Sequence, residues 1–180
     1  MNLPNKITLL RVALVPVFLI VYLAQSLAPL FCAWLAFVVF VMAAITDAVD
    51  GHLARKMGLV TNFGKLLDPL ADKLLACSAL VAFVHTGAVP VWTVIIIICR
   101  EFYVSGLRQL SLEQGVVLAA ATSGKVKMVV QMVMIIYILL PPPFTILVFP
   151  AVQLALAVIA AAVSVYSAVD YTRRNFGLFR

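Results

Sequence analysis

The chain reads as six long apolar runs divided by short polar or proline-rich connections: Leu9–Leu27, Leu30–Ile45, Leu70–Val84, Pro90–Tyr103, Met128–Leu140 and Phe144–Val169. A bilayer crossing takes about 20 predominantly apolar residues, so the runs predict transmembrane helices. Pro29, the segment from Gly87 to Pro90 and the run Pro141-Pro142-Pro143 punctuate three connections. Proline lacks an amide donor and cannot carry a helix through a turn. These three connections hold no Lys, Arg, Asp or Glu. The opposite set is the amino terminus, Thr46–Pro69, Glu101–Lys127 and the tail from Asp170. With Arg11, Lys73 and Arg100 read as helix-end residues on that side, all 13 Lys and Arg collect there. Such asymmetry predicts an even number of crossings with both termini in the cytoplasm. Thr8–Leu10 is expected to open an interfacial helix ahead of the first span. The triplet Ser26-Leu27-Ala28 matches a small-x-small cleavage pattern, but the run before it is long enough to span, so it is read as a retained helix.

Composition sharpens this picture. The 180 residues are 65% apolar and 11% charged, against about 45–50% and 25% in soluble domains. That excludes a soluble fold, a disordered chain and a disulfide scaffold. The expected architecture is an all-α integral membrane protein, a bundle of six transmembrane helices forming one domain over 1–180. No repeat or linker is visible. Cys32, Cys77 and Cys99 each stand alone in an apolar run without metal spacing, and read as small core residues. His52 and His85 read as surface residues. The net charge of +6 lies on one side of the membrane, so it marks topology and not nucleic-acid binding.

Of the 7 acidic residues, Asp47, Asp50, Asp68 and Asp72 fall within 26 positions, at the charged ends of the second and third runs. The pairs are spaced i,i+3 and i,i+4, so each shares one face of a helix. Two antiparallel helices can bring the pairs together. Four neighbouring carboxylates near a bilayer repel one another and need a positive partner. Hard oxygen ligands in this number suit Mg²⁺ or Mn²⁺, and two such ions would cancel four charges. Paired metals recur in displacement at phosphorus. Plainer roles exist residue by residue: Asp68 before Pro69 has the grammar of a helix cap, and Asp47 and Asp50 can pair with Arg55 and Lys56 as solvated helix-end charges.

Taken together, Asp47-x-x-Asp50-Gly51-x-x-Ala54-Arg55, eight residues, then Gly64-x-x-x-Asp68-x-x-x-Asp72 resembles the signature of the CDP-alcohol phosphatidyltransferases. The resemblance implies that Asp47, Asp50, Asp68 and Asp72 hold two divalent ions and that Asp72 is the base. It also implies that Gly51, Ala54 and Gly64 leave room for the cytidine nucleotide of CDP-diacylglycerol, with Arg55 near its diphosphate. Gly51 and Ala54 stand i+4 from Asp47 and Asp50, which strips bulk from the carboxylate face, and small residues so spaced also serve helix packing. The opening Pro4-Asn5-x-x-Thr8-x-x-Arg11, which places Asn5 and Thr8 with the lipid donor, adds to the resemblance. So do the run Gly64-Lys65 through Lys73, the segment Arg100-Glu101 through Arg108, and Gly124-Lys125-x-Lys127. These look like the branch that makes phosphatidylglycerophosphate.

That branch implies transfer of the phosphatidyl group from CDP-diacylglycerol to glycerol 3-phosphate, releasing CMP. Lys65, Arg100, Arg108, Lys125 and Lys127 are then the candidates for the acceptor phosphate, since an anionic acceptor needs such groups. Their plainer role is to anchor helix ends at an anionic leaflet. The same chemistry with inositol phosphate, serine or phosphatidylglycerol as acceptor is the competing reading. An ion-coupled transporter is the competing class, but the uncharged outer half of every run argues against it. The expected setting is the cell membrane, plasma or inner, with a multi-pass chain whose site faces the cytoplasm among membrane lipids. The resemblance implies a homodimer.

Overall fold

The computed structural model describes the backbone of residues 3–57, 62–113 and 122–176, and the side chains of 9–46, 73–111 and 122–176. Among the described residues all regular structure is helical: α1 (Leu3–Leu23), α2 (Pro29–Met57), α3 (Asn62–His85), α4 (Val91–Glu113), α5 (Thr122–Ile138) and α6 (Pro150–Arg174), with 3₁₀ turns at Ala24–Ser26 and Phe144–Leu147. Among the described residues, three segments are long and apolar enough to cross a membrane: Leu9–Ser26, Pro29–Thr46 and Pro150–Arg174. The remaining helices carry charge within them. Among the described residues of α3, Lys73–His85 is a shorter apolar stretch, α4 carries Arg100, Glu101 and Arg108 inside it, and α5 has 17 residues with Lys125 and Lys127 in its opening turns.

Every helix outruns its apolar stretch at the charged end. α2 continues past Ile45 to Met57 and α4 past Tyr103 to Glu113, while α3 begins at Asn62 and α5 at Thr122. Arg11, Lys73 and Arg100, expected at helix ends, are therefore interior residues. Asp68 likewise lies inside α3 and not at its cap. The sixth run divides: Val148 and Phe149 are extended, with ψ of 92° and 133°, and α6 starts at Pro150. Proline pushes the residue before it out of the helical region and suits the first helical position.

The chain forms two compact units, Met1–Ala82 with Leu139–Val148, and Phe83–Ile138 with Phe149–Arg180. In the first, α1 and α2 pack through stripes at helical spacing: Arg11, Val15, Phe18 and Tyr22 face inward from α1, and Cys32, Ala36, Phe40 and Ala43 from α2. Phe18 stacks on Tyr22 with centroids 5.8 Å apart and tilts against Phe40 at 5.7 Å. Ala36 and Ala43 keep the surroundings of Phe40 small enough for close approach, the means by which helices associate where lipid removes the hydrophobic drive. Trp34 meets Phe37 and Phe144 edge-on at the uncharged end, the usual place of an aromatic belt.

In the second unit α6 packs against both α4 and α5. Its inward stripe is Ala157, Ala160, Ala161, Ser164, Ser167 and Tyr171, small along most of its length and polar toward the charged end. Val104, Leu107 and Tyr171 form a buried apolar cluster. The turn into α4 closes with Ala88 N–H on Phe83 C=O at 2.9 Å and Gly87 N–H on Val84 C=O at 3.0 Å. Gly87 takes φ +73° there, the left-handed cap that glycine adopts without steric cost. Cys32 is buried as expected, but Cys99 lies on the exposed face of α4.

Candidate active site

The sequence-derived site residues divide between the units. Asn5 and Thr8 lie on α1; Asp47, Asp50, Gly51, Ala54 and Arg55 on the extension of α2; Gly64, Lys65, Asp68 and Asp72 on the first half of α3. Their side chains lie outside the described residues. The backbone is helical through 47–50 and 68–72, so the i,i+3 and i,i+4 pairs occupy neighbouring register positions on their own helices. A donor set of four carboxylates, two on each helix, is a fit in ligand chemistry for divalent Mg²⁺ or Mn²⁺.

The basic candidates of the second unit are described in full. Lys127 on α5 is 4% exposed, and its ammonium donates to Glu101 Oε1 on α4 and to Gln131 Oε1 one turn along α5. A buried ammonium is tolerable only when so paired. The same Glu101 oxygen lies 3.5 Å from Arg100 Nη1, both side chains being largely enclosed at 10% and 15% exposure. Arg100 Nη2 donates to Ser167 Oγ on α6 at 2.7 Å, and its buried Nε has no hydrogen-bond partner among the described residues. Gly124 closes the other side, since a methyl group there would sit 3.6 Å from Arg100 Nη2.

Two turns along α4, Arg108 Nε donates to Tyr171 Oη at 3.3 Å and its guanidinium carbon stands 5.7 Å from the ring centroid, within cation–π range. Tyr171 is itself fixed in the core. Lys125 is exposed on α5. Thus the structure joins Arg100 to Lys127 through Glu101, seats Arg108 on Tyr171, and leaves Lys125 on the surface. A separate cavity of about 510 Å³ lies between α5 and α6, lined by Ser123, Val126, Ala162, Tyr166, Asp170 and Arg174 among others. At its polar end Asp170 accepts from Ser123 Oγ at 2.6 Å and from Arg174 Nε at 2.8 Å.

Sequence reasoning names the cations but not what holds them. Glu101 stands beside a named residue without a role, and Gln131, Ser167 and Tyr171 are missed. One signal was available: Ser164, Ser167 and Tyr171 recur at spacings of three and four inside an apolar run, which marks a polar stripe on one helix face.

Comparison with known proteins bears on what this arrangement does. The family model for CDP-alcohol phosphatidyltransferase matches residues 1–166. The CDP-diacylglycerol–glycerol-3-phosphate 3-phosphatidyltransferase of Bacillus subtilis is 44% identical over 187 residues, covering 97% of this chain and 95% of that protein. A probable phosphatidylglycerophosphate synthase of Mycobacterium tuberculosis is 39% identical over 96% of this chain and 81% of its own length. The Pectobacterium atrosepticum protein with the same name as the Bacillus one is 39% identical over 94% and 92%.

Proposed function

The chain belongs to the CDP-alcohol phosphatidyltransferase family, and from that membership we propose that it transfers the phosphatidyl group of CDP-diacylglycerol to glycerol 3-phosphate, giving phosphatidylglycerophosphate and CMP. The family match runs through both compact units, which supports one catalytic domain over 1–180. The relatives' acceptor, glycerol 3-phosphate, carries the choice, and the surplus of positive charge around Glu101 supports a phosphate-bearing acceptor over serine: Arg100 and Lys127 share this one carboxylate, and Arg108 adds a further cation on the same helix. Serine offers nothing for such a surplus, whereas a phosphate monoester does.

The family uses divalent cations, and Asp47, Asp50, Asp68 and Asp72 would hold them here. When bound, such ions neutralise the donor's diphosphate and the departing CMP. Arg55, one turn beyond Asp50, steadies the diphosphate, while Asn5, Thr8, Gly51, Ala54 and Gly64 accommodate the nucleotide end of the donor. Arg100, Arg108, Lys125 and Lys65 bind the acceptor phosphate, and Lys127 contributes from its buried position. Asp72 takes the proton from the acceptor hydroxyl as its oxygen bonds to the phosphatidyl phosphorus and the bond from that phosphorus to CMP breaks. The enzyme works as a homodimer at the cytoplasmic face of the cell membrane.

The test supplies purified protein with CDP-diacylglycerol, Mg²⁺ and one acceptor at a time. CMP release with glycerol 3-phosphate well above that with serine, inositol phosphate or phosphatidylglycerol is the expected result, as is its loss in excess chelator. Preference for another acceptor overturns the assignment.

A further inference from the structure

Glu101 sets a problem for an anion site. A carboxylate within 3.5 Å of Arg100 Nη1 would cancel the guanidinium's charge and repel an incoming phosphate, yet it is built into the same helix. Lys127 resolves it. Its ammonium, 4% exposed, reaches across from α5 to the same Oε1 and is held in place by Gln131. One carboxylate shared by two cations leaves a net positive charge, and Arg100 is the member with hydrogen-bonding capacity to spare. A guanidinium carries five N–H donors; Ser167 Oγ takes one at 2.7 Å, Glu101 draws another, and Nε is partnerless among the described residues.

We propose that Lys127 is a positioning residue that acts through Glu101: it neutralises this carboxylate, so that Glu101 orients Arg100 without cancelling the charge Arg100 offers to the acceptor's phosphate. The proposal rests on the reading that Arg100 binds that phosphate. Lys127 itself does not touch the acceptor. Holding Arg100 at Glu101 on one side and Ser167 on the other fixes a long side chain before the ligand arrives, which lowers the ordering cost of binding.

The sign of the charge effect makes the idea testable. In Lys127→Met the carboxylate is left to cancel Arg100, so the KM for glycerol 3-phosphate should rise roughly ten- to a hundredfold, the size of a lost charge-assisted contact. The KM for CDP-diacylglycerol should stay within about twofold. Adding Glu101→Gln removes the uncancelled charge but keeps an oxygen for Arg100, and the double variant should return to within about threefold of the unaltered enzyme. The double variant decides even where Lys127→Met fails to fold. Any lesser recovery means that Lys127 contacts the phosphate directly or only supports the fold, and overturns the proposal. Arg100→Ala separates the two levels: if it leaves the acceptor KM unchanged, the acceptor site itself is wrongly placed and the proposal goes with it. If it raises that KM while the double variant fails to recover, only the role of Lys127 falls.

Discussion

At Asp72 the difference between a ligand and a base comes down to one proton. Asp72→Asn keeps the shape of the side chain and an oxygen donor but cannot accept the acceptor's hydroxyl proton. Turnover should fall roughly 10²–10⁴-fold, the usual scale of general-base catalysis, while binding of CDP-diacylglycerol is largely kept. Turnover restored by raising Mg²⁺ would instead make Asp72 a ligand alone. Asp47→Ala, Asp50→Ala and Asp68→Ala should each lose activity by orders of magnitude in a protein that still inserts. For any of them, near-normal turnover with unaltered metal dependence removes that residue from the ligand set. The two arginines contrast in the same spirit. Arg108, seated on Tyr171, should on truncation to Ala raise the KM for glycerol 3-phosphate about ten- to a hundredfold and that for the lipid donor little. Arg55→Ala should do the reverse. Steady-state kinetics with each substrate varied in turn reads the split. Unchanged Michaelis constants with lowered expression would reduce Arg108 to a helix anchor.

The helices themselves are legible as apolar runs because a lipid-facing segment must be apolar nearly all round. Their charged ends are not, since a helix that leaves the bilayer keeps its backbone pattern but loses its hydropathy signal. That is why α2 runs on to Met57 and α4 to Glu113 beyond the expected ends, and why Arg100 turns out to be an interior residue. The acidic signature is legible for the opposite reason: its spacing is local and follows one helical period. The partners of the cations are not local. Glu101 and Lys127 are 26 positions apart, Arg108 and Tyr171 63, and Arg100 and Ser167 67, so only the packing of α4, α5 and α6 brings them together. Packing also makes a prediction for α1 and α2. Ala36 is fully enclosed between them, and Ala36→Leu inserts volume with nowhere to go, a cost of roughly 1–3 kcal/mol. Val38, 46% exposed on the outer side of α2, faces the surroundings, so Val38→Leu should leave the melting temperature in detergent unchanged while Ala36→Leu lowers it by several degrees. Equal effects would mean that the small residues are not the contact.

For the whole molecule, a six-span topology would combine three segments that qualify as membrane spans by length and composition among the described residues with three helices that carry charge within them. What binds the six into one scheme is that Lys and Arg are absent from the connections at Pro29, Gly87 and Pro141–Pro143 and present in the stretches Thr46–Pro69 and Glu101–Lys127 between the other runs. A lone helix with Arg100 inside it would insert at a cost of about 2.5–3.5 kcal/mol for that charge at the bilayer centre. If α4 crosses, the contacts of Arg100 with Glu101 and Ser167 offset that cost. If α3, α4 and α5 all cross, the turn at Thr86 and the segment at Phe144 lie outside the cell and the tail at Phe176 lies inside. Single cysteines placed by Thr86→Cys, Phe144→Cys and Phe176→Cys, in a chain whose Cys32, Cys77 and Cys99 are replaced by Ala, read this directly. A membrane-impermeant thiol reagent should label the first two in intact cells and the third only after permeabilisation. If α4 and α5 lay along the surface in place of crossing, Thr86 and Phe144 would still label from outside. An added Gly115→Cys, between those helices in the sequence, would then label from outside too. Protection of Gly115→Cys until the membrane is opened is therefore the result that the six-span topology requires, and labelling in intact cells would reduce the crossings to four.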